Sequence, residues 1–181
     1  MRISLFASVV LCAVAAVAVA EEKATKIELG KGHIVLMVEG DFTPEKPANR
    51  IIEFEFSTPA PEGTELKGRM TMMGAGGSIE ANIERWMAQF SQPDGEDPKE
   101  KSKTSQEQID GQAVHLVDIR GTYADGRPFG PKTQRPHYRM LAAIITTEKF
   151  GNYFVKYYGP EETVDKHEAA FKKTIASLRV K

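Results

Sequence analysis

The 181-residue chain has a single cysteine, Cys12, and a single tryptophan, Trp86. One cysteine excludes an internal disulfide and a multi-thiolate metal centre, so stability must come from an apolar core. Neither sign of charge dominates: 24 Lys and Arg stand against 25 Asp and Glu, a net charge of -1. That balance excludes the general electrostatic footprint of a nucleic-acid or anionic-lipid binder. There is no internal repeat and no Gly-x-Ser-x-Gly elbow. His33, His115, His137 and His167 share no HxH, HxxxH or HExxH spacing.

Only one long apolar run is present, and it lies at the start. Met1-Arg2 is followed by Ile3 to Ala20, interrupted only by Ser4 and Ser8 and closing on Ala18-Val19-Ala20 before Glu21-Glu22-Lys23. The small-x-small ending is what a signal peptidase reads, so residues 1–20 are expected to be a signal peptide and 21–181 the exported chain. An uncleaved anchor is the alternative, since about eighteen apolar residues reach the lower edge of a spanning length. Cys12 follows Leu11 rather than a small residue and lies early for a lipoprotein. Cleavage removes Cys12 and Arg2, leaving no thiol, a net charge of -2 and no membrane span. The expected destination is secreted or periplasmic. About 160 residues remain, enough for one domain.

Residues 21–33 are polar and predict a loose arm. His33 to Val38 reads as a strand, and Phe42 to Asn49 as a Pro-containing turn. In Ile51 to Phe56, Ile52, Phe54 and Phe56 alternate with Glu53 and Glu55, the period of a half-buried strand. Thr58 to Gly63 is a turn, and Leu66 to Met72 a third alternating strand. Ser78, after Gly74-Ala75-Gly76-Gly77, is an N-cap for a helix carrying Ile79, Ile83, Trp86, Met87 and Phe90 on one face. Gln92 to Lys103 is a solvated loop. Gln106 to Ile109 and Gln112 to Arg120 flank Asp110-Gly111, a pair suited to a type I′ hairpin. Thr122 to Arg139 reads as a long loop. Met140 to Thr146 is apolar throughout, as in a strand covered on both faces. After Phe150-Gly151-Asn152 come the strand Tyr153 to Tyr158 and, beyond Gly159-Pro160, a capped helix with Val164, His167, Phe171, Ile175 and Leu178 on one side. The sum is an α+β domain: two helices on a mainly antiparallel sheet of about seven strands.

Candidate chemistry is thin. Gly74-x-Gly76-Gly77 before a helix resembles a dinucleotide fingerprint, but Ile79 occupies the third glycine position and the preceding strand alternates as buried parallel strands do not. Glu53 and Glu55 lie roughly 7 Å apart by the strand repeat, which ordinary solvent-facing alternation also produces. Asp94-Gly95-Glu96-Asp97 lacks the order of a calcium loop. No catalytic residue, metal ligand or cofactor is assigned. The expected working surface is the 122–139 segment, with Arg127, Phe129, Lys132, Arg135, His137, Tyr138 and Arg139 as binding residues. Asp125 is its only acid, and Pro128, Pro131 and Pro136 stiffen it. Arginines can fork carboxylates or phosphates, and aromatics can anchor a partner.

Phe42-Thr43-Pro44, the helix with Trp86, the Asp110-Gly111 hairpin and the Gly151-Asn152-Tyr153-Phe154…Gly159-Pro160…Ala169-Ala170-Phe171…Ser177-Leu178 ending resemble the PsbP-like domain. This α-β-α sandwich is shared by the photosystem II extrinsic protein PsbP and a Ran-binding nuclear import factor. The resemblance covers roughly residues 34–178 as an order of elements. It implies a non-catalytic binding or accessory role; the basic segment itself points to an acidic protein or small anionic ligand as the partner. A small-molecule binder or hydrolase with its site in a sheet–helix cleft is the alternative, and a purely structural envelope component a third. The export reading has its own check. N-terminal sequencing of the protein from its producing cells is expected to begin at Glu21; a chain still carrying Met1 would refute cleavage.

Overall fold

The computed structural model describes residues 24–126 and 130–181. The signal-peptide reading of 1–20 and the residues Arg127 and Phe129 therefore lie outside the described residues.

Chain order starts with an antiparallel pair, β1 (Thr25–Leu29) and β2 (Ile34–Val38). The expected loose arm is corrected here: alternate burial of Ile27 and Leu29 makes Thr25–Leu29 a strand on the core rather than a solvated tail. The main sheet collects β3 (Thr43–Glu45), β4 (Phe54–Thr58), β5 (Gly68–Ala75), β6 (Phe90–Ser91), β7 (Lys103–Ile109), β8 (Gln112–Gly126), β9 (Lys132–Thr147) and β10 (Gly151–Pro160). Their order across the sheet is β3-β4-β5-β10-β9-β8-β6, with β7 beside β8, and all pairings are antiparallel. Helices α1 (Ile79–Met87), α2 (Pro98–Lys101) and α3 (Glu161–Ala176) complete the fold, and β11 (Arg179–Val180) returns to β2. Strands β1, β3, β6 and β11 and the short α2 were not expected. Strands β3, β6 and β11 and helix α2 are four residues or fewer, too short for a period to register, and β1 offers only two apolar positions, Ile27 and Leu29, in a polar stretch.

Antiparallel β9 is buried on both faces, as its apolar run predicts. Leu141, Ala143 and Ile145 join one core with Val155, Tyr157, Phe171 and the small sheet's Leu36. Met140, Ala142 and Ile144 join a second core with Trp86, Met87 and Phe154. Strict side-chain alternation thus feeds two cores from one strand. Helix α3 and the small sheet cover the first face and α1 covers the second, the α-β-α layering expected from the resemblance.

Local chemistry explains the joints. Ser78 caps α1 by accepting from the Ala81 amide. Asp110 (φ 50°) and Gly111 (φ 73°) make the left-handed turn of the β7–β8 hairpin. Gly68 has no room for a side chain, since a Cβ there would come 2.3 Å from the Thr58 hydroxyl and 2.7 Å from that of Tyr157. Helix α3 departs from the expected capped start: Pro160 occupies the N-cap without a side-chain hydrogen bond. Glu161 and Glu162 in its first turn complement the helix dipole instead.

Trp86, 2% exposed, packs edge-to-face on Phe154 at 5.0 Å between centroids and fixes α1 to the sheet. Replacing it with alanine is expected to cost about 3–5 kcal/mol in urea unfolding. A loss under about 1 kcal/mol would show that α1 is held by something else.

Candidate functional site

Over residues 122–126 and 132–139 the expected basic loop is instead an arm of two paired strands, the main correction to the sequence expectation. Strand β8 runs on to Gly126 and β9 begins at Lys132, paired from Asp125↔Thr133 back through Tyr123↔Arg135. Pro136 misled the reading. It sits at a bulge where Pro136 and His137 together face Thr122, and His137 takes a left-handed backbone at φ 55°. A bulge is one of the few in-strand positions that tolerate a residue without an N–H.

Each expected contact residue now has a place. Lys132 and His137 are exposed on the arm, and Arg135 reaches across it to Asp125 at 3.5 Å. Tyr138 is buried and stacks on Tyr123 at 5.9 Å. Arg139 is 3% exposed at its side chain and is fully engaged: Asp118 at 2.8 Å, Asp165 at 2.6 Å and Glu168 at 2.6 Å. Beside it Arg120 bonds Glu161 and Asp165. These groups clamp α3 to β8 and β9, so Arg139 holds the fold rather than facing a partner.

The other carboxylates and histidines of interest are also structural. Glu55 takes both arms of Arg69 (2.6 and 3.1 Å) and the Ala48 amide, and the Arg69 hydrogen bond lowers its pKa. Glu53 accepts from the Gly30 and Gly74 amides. His33 stacks on Phe150 at 3.8 Å, and buried His167 bonds the Thr163 carbonyl at 2.8 Å through Nδ1. The Gly76-Gly77 turn is filled by Asn82, whose amide donates to the Gly76 and Ser78 carbonyls.

At the root of the arm, on the α1 face, lies a platform that sequence reasoning missed. Tyr123, Tyr138 and Tyr158 form a ring cluster, with Tyr123–Tyr158 centroids 5.4 Å apart. Burial raises the pKa of all three phenols, which stay protonated near neutrality. Arg69 donates to the Tyr158 hydroxyl and lies 5.8 Å from its ring. Lys156 lies 5.4 Å from the Trp86 centroid and 5.6 Å from that of Tyr158. Burial, with Arg85 and Arg69 adding repulsion, lowers the Lys156 pKa from 10.5 to about 8. Among the described residues Lys156 has no carboxylate partner, and Arg85 bonds only the Asn82 side chain. Glu55 offsets Arg69 and Asp125 offsets Arg135, which leaves Lys156 over the aromatic rings and Arg85 beside it without a carboxylate among the described residues. A sequence signal existed: Lys156 interrupts an otherwise aromatic and apolar strand, two residues from both Phe154 and Tyr158.

On the opposite face an open groove of about 330 Å³ runs between β7–β8 and α3. Leu116, Leu141 and Phe171 floor it, and no histidine lines it. Its acids Asp118 and Glu168 are the ones already held by Arg139.

Among the described residues no helix is long and apolar enough to cross a membrane.

No family model matches this chain, and no curated protein does. Several solved structures are similar in fold, three of them as follows. The cyanobacterial PsbP protein of Synechocystis (CyanoP) superposes with a TM-score of 0.51 at 12% identity, over 93% of this chain and 98% of its own. A protein of unknown function from Pseudomonas aeruginosa gives 0.46 at 14% identity, over 87% and 97%. The Ran-binding protein Mog1p of Saccharomyces cerevisiae gives 0.42 at 10% identity, over 88% and 96%.

The Arg139 clamp makes a testable claim. Hydrogen bonds from Arg139 and then Lys172 lower the Glu168 pKa from 4.5 to about 2. Stability from a lowered carboxyl pKa is complete above the unfolded value and is lost as pH falls toward the folded one. Arg139→Met is therefore expected to cost about 1–3 kcal/mol at neutral pH, by leaving half-buried Asp118 and Glu168 and exposed Asp165 without their shared cation. In urea unfolding across pH, the deficit should shrink as the pH drops from about 4.5 to 2. A deficit constant over that window would assign the loss to packing.

What the comparisons add to this geometry is fold alone, and at that level the chain has a PsbP-like α+β fold, an antiparallel sheet between helical layers.

Proposed function

We propose that the chain is an exported, non-catalytic binding or accessory protein that contacts an acidic protein or small anionic ligand through the platform and the arm above it. The observation that carries this reading is Lys156, a half-buried cation held over Trp86 and Tyr158 without a counter-ion among the described residues. Desolvating an ammonium is unfavourable, and an incoming carboxylate or phosphate would relieve that cost. Lys132, Arg135 and His137 of the arm, with Arg127 and Phe129, are the proposed outer contacts; Tyr138 supplies a ring of the platform. Arg139 is withdrawn from the contact set and kept as a positioning residue. Export rests on the signal-like sequence of residues 1–20.

The alternative is a small-molecule site in the sheet–helix groove. One observation favours it, the apolar floor of Leu116, Leu141 and Phe171. It supports a bound apolar ligand.

Trp86 reports on the platform directly, being the only tryptophan and lying beside Lys156. Titration with an oligoglutamate peptide is expected to change Trp86 fluorescence, and affinity should fall as pH rises through about 8 and Lys156 loses its charge. Lys156→Met should abolish that pH dependence. The triple reversal of Arg127, Lys132 and Arg135 to Glu should weaken binding while moving Tm by only a few degrees. Binding of unchanged strength in both variants would overturn the assignment.

A further inference from the structure

Strand β7 has one neighbour, β8, and its seven residues leave the other edge open among the described residues. Ile109↔Gln112 is the pair closing the two-residue turn, so Ile109 exchanges both backbone bonds with β8. Counting back by twos, Glu107, Ser105 and Lys103 also turn their backbone groups inward. Thr104, Gln106 and Gln108 therefore direct their amides and carbonyls outward, toward solvent. An open edge of this kind accepts another extended strand unless its side chains forbid the pairing.

The side chains of β7 permit one pairing in particular. Lys103 and Glu107 have no ion-pair partner among the described residues, and both lie on the groove face with Ser105 midway between them. Turned end for end about Ser105, the strand presents Glu107 where Lys103 stood. A second copy laid antiparallel on the edge thus sets Lys103 opposite the partner's Glu107 twice over, while Thr104 and Gln106 exchange backbone bonds. The register agrees with the backbone count, since the outward-facing residues pair with outward-facing residues. Centring the pairing one residue later, on Gln106, would oppose Lys103 with Ile109 and Glu107 with Ser105, with no charge pair.

We propose that β7 is the contact strand of a two-fold homodimer, with Ser105 on the axis and Lys103 paired to the partner's Glu107. Such an isologous contact closes on itself and continues the sheet through both subunits. The axis stands perpendicular to the sheet, so both grooves beside α3 open on the same face, while the tyrosine–cation platforms share the other. The inference is independent of the platform, and its failure leaves that reading untouched.

Sedimentation of the full chain is expected to show a concentration-dependent dimer. Glu107→Lys and Lys103→Glu each replace two attractive cross-strand pairs with two repulsive ones, and should weaken the dimer about tenfold. The double exchange of Lys103→Glu with Glu107→Lys in one chain should restore it. Circular dichroism of each variant confirms that the fold persists. In a Cys12→Ser background, Ser105→Cys should oxidise to a disulfide-linked dimer and Gln106→Cys should not. A wild-type monomer at every concentration, including one that instead captures an extended peptide on β7, would overturn the proposal. So would a dimer indifferent to both single reversals, or one crosslinked through position 106.

Discussion

Strands β9 and β10 are buried on both faces, and almost every other feature follows from that. An antiparallel strand with apolar side chains on both sides cannot lie on a solvated sheet, so each face must be covered. Residues 141, 143 and 145 of β9 require α3 and the small sheet on one side; 140, 142 and 144 require α1 on the other. The chain supplies the two helices from widely separated segments, one after β5 and one after β10. The small sheet completes the cover because α3 alone is narrower than eight strands. Its own edge is tied back through β11, which pairs with β2.

Charge follows the same geometry. Where α3 crosses β8 and β9, the two layers meet through Arg139 and Arg120 against Asp118, Glu161, Asp165 and Glu168. A bidentate guanidinium can satisfy several carboxylates at once, which a lysine cannot do with the same geometry. On the α1 face the balance differs. Helix α1 spans only Ile79–Met87, too short to cover the whole sheet, and half-buried Arg69, Lys156 and Tyr158 lie at its margin beside the buried rings of Tyr123 and Tyr138. Incomplete cover on one side is thus the origin of the candidate site. The groove beside α3 arises in the same way on the other side, where the β7–β8 hairpin extends past the helix.

Much of the fold was legible in the residues. Alternation in Phe54 to Phe56, the Asp110-Gly111 turn, the Ser78 cap and the continuous apolar run at Met140 all act within a few positions, and local physics fixes them. The arm was not legible. Lys132 to Arg135 has no apolar alternation because both faces of the arm meet water, and Pro136 imitates a loop by occupying a bulge. Arg139 looked like a free cation because nothing nearby in the sequence announces Asp165 and Glu168, which reach it only when α3 folds back.

The sequence alone determined the order of the longer elements, the α+β class, the doubly buried strand and the exclusion of an internal disulfide, since these depend on composition and on spacings of two to four residues. Tertiary structure alone decided which charges are spent and which are spare. Of the cations near the arm, Arg139 went to a buried clamp and Lys156 was left over aromatic rings without a counter-ion among the described residues. That division depends on which layers meet and which helix falls short of the sheet edge, distances that no local pattern encodes.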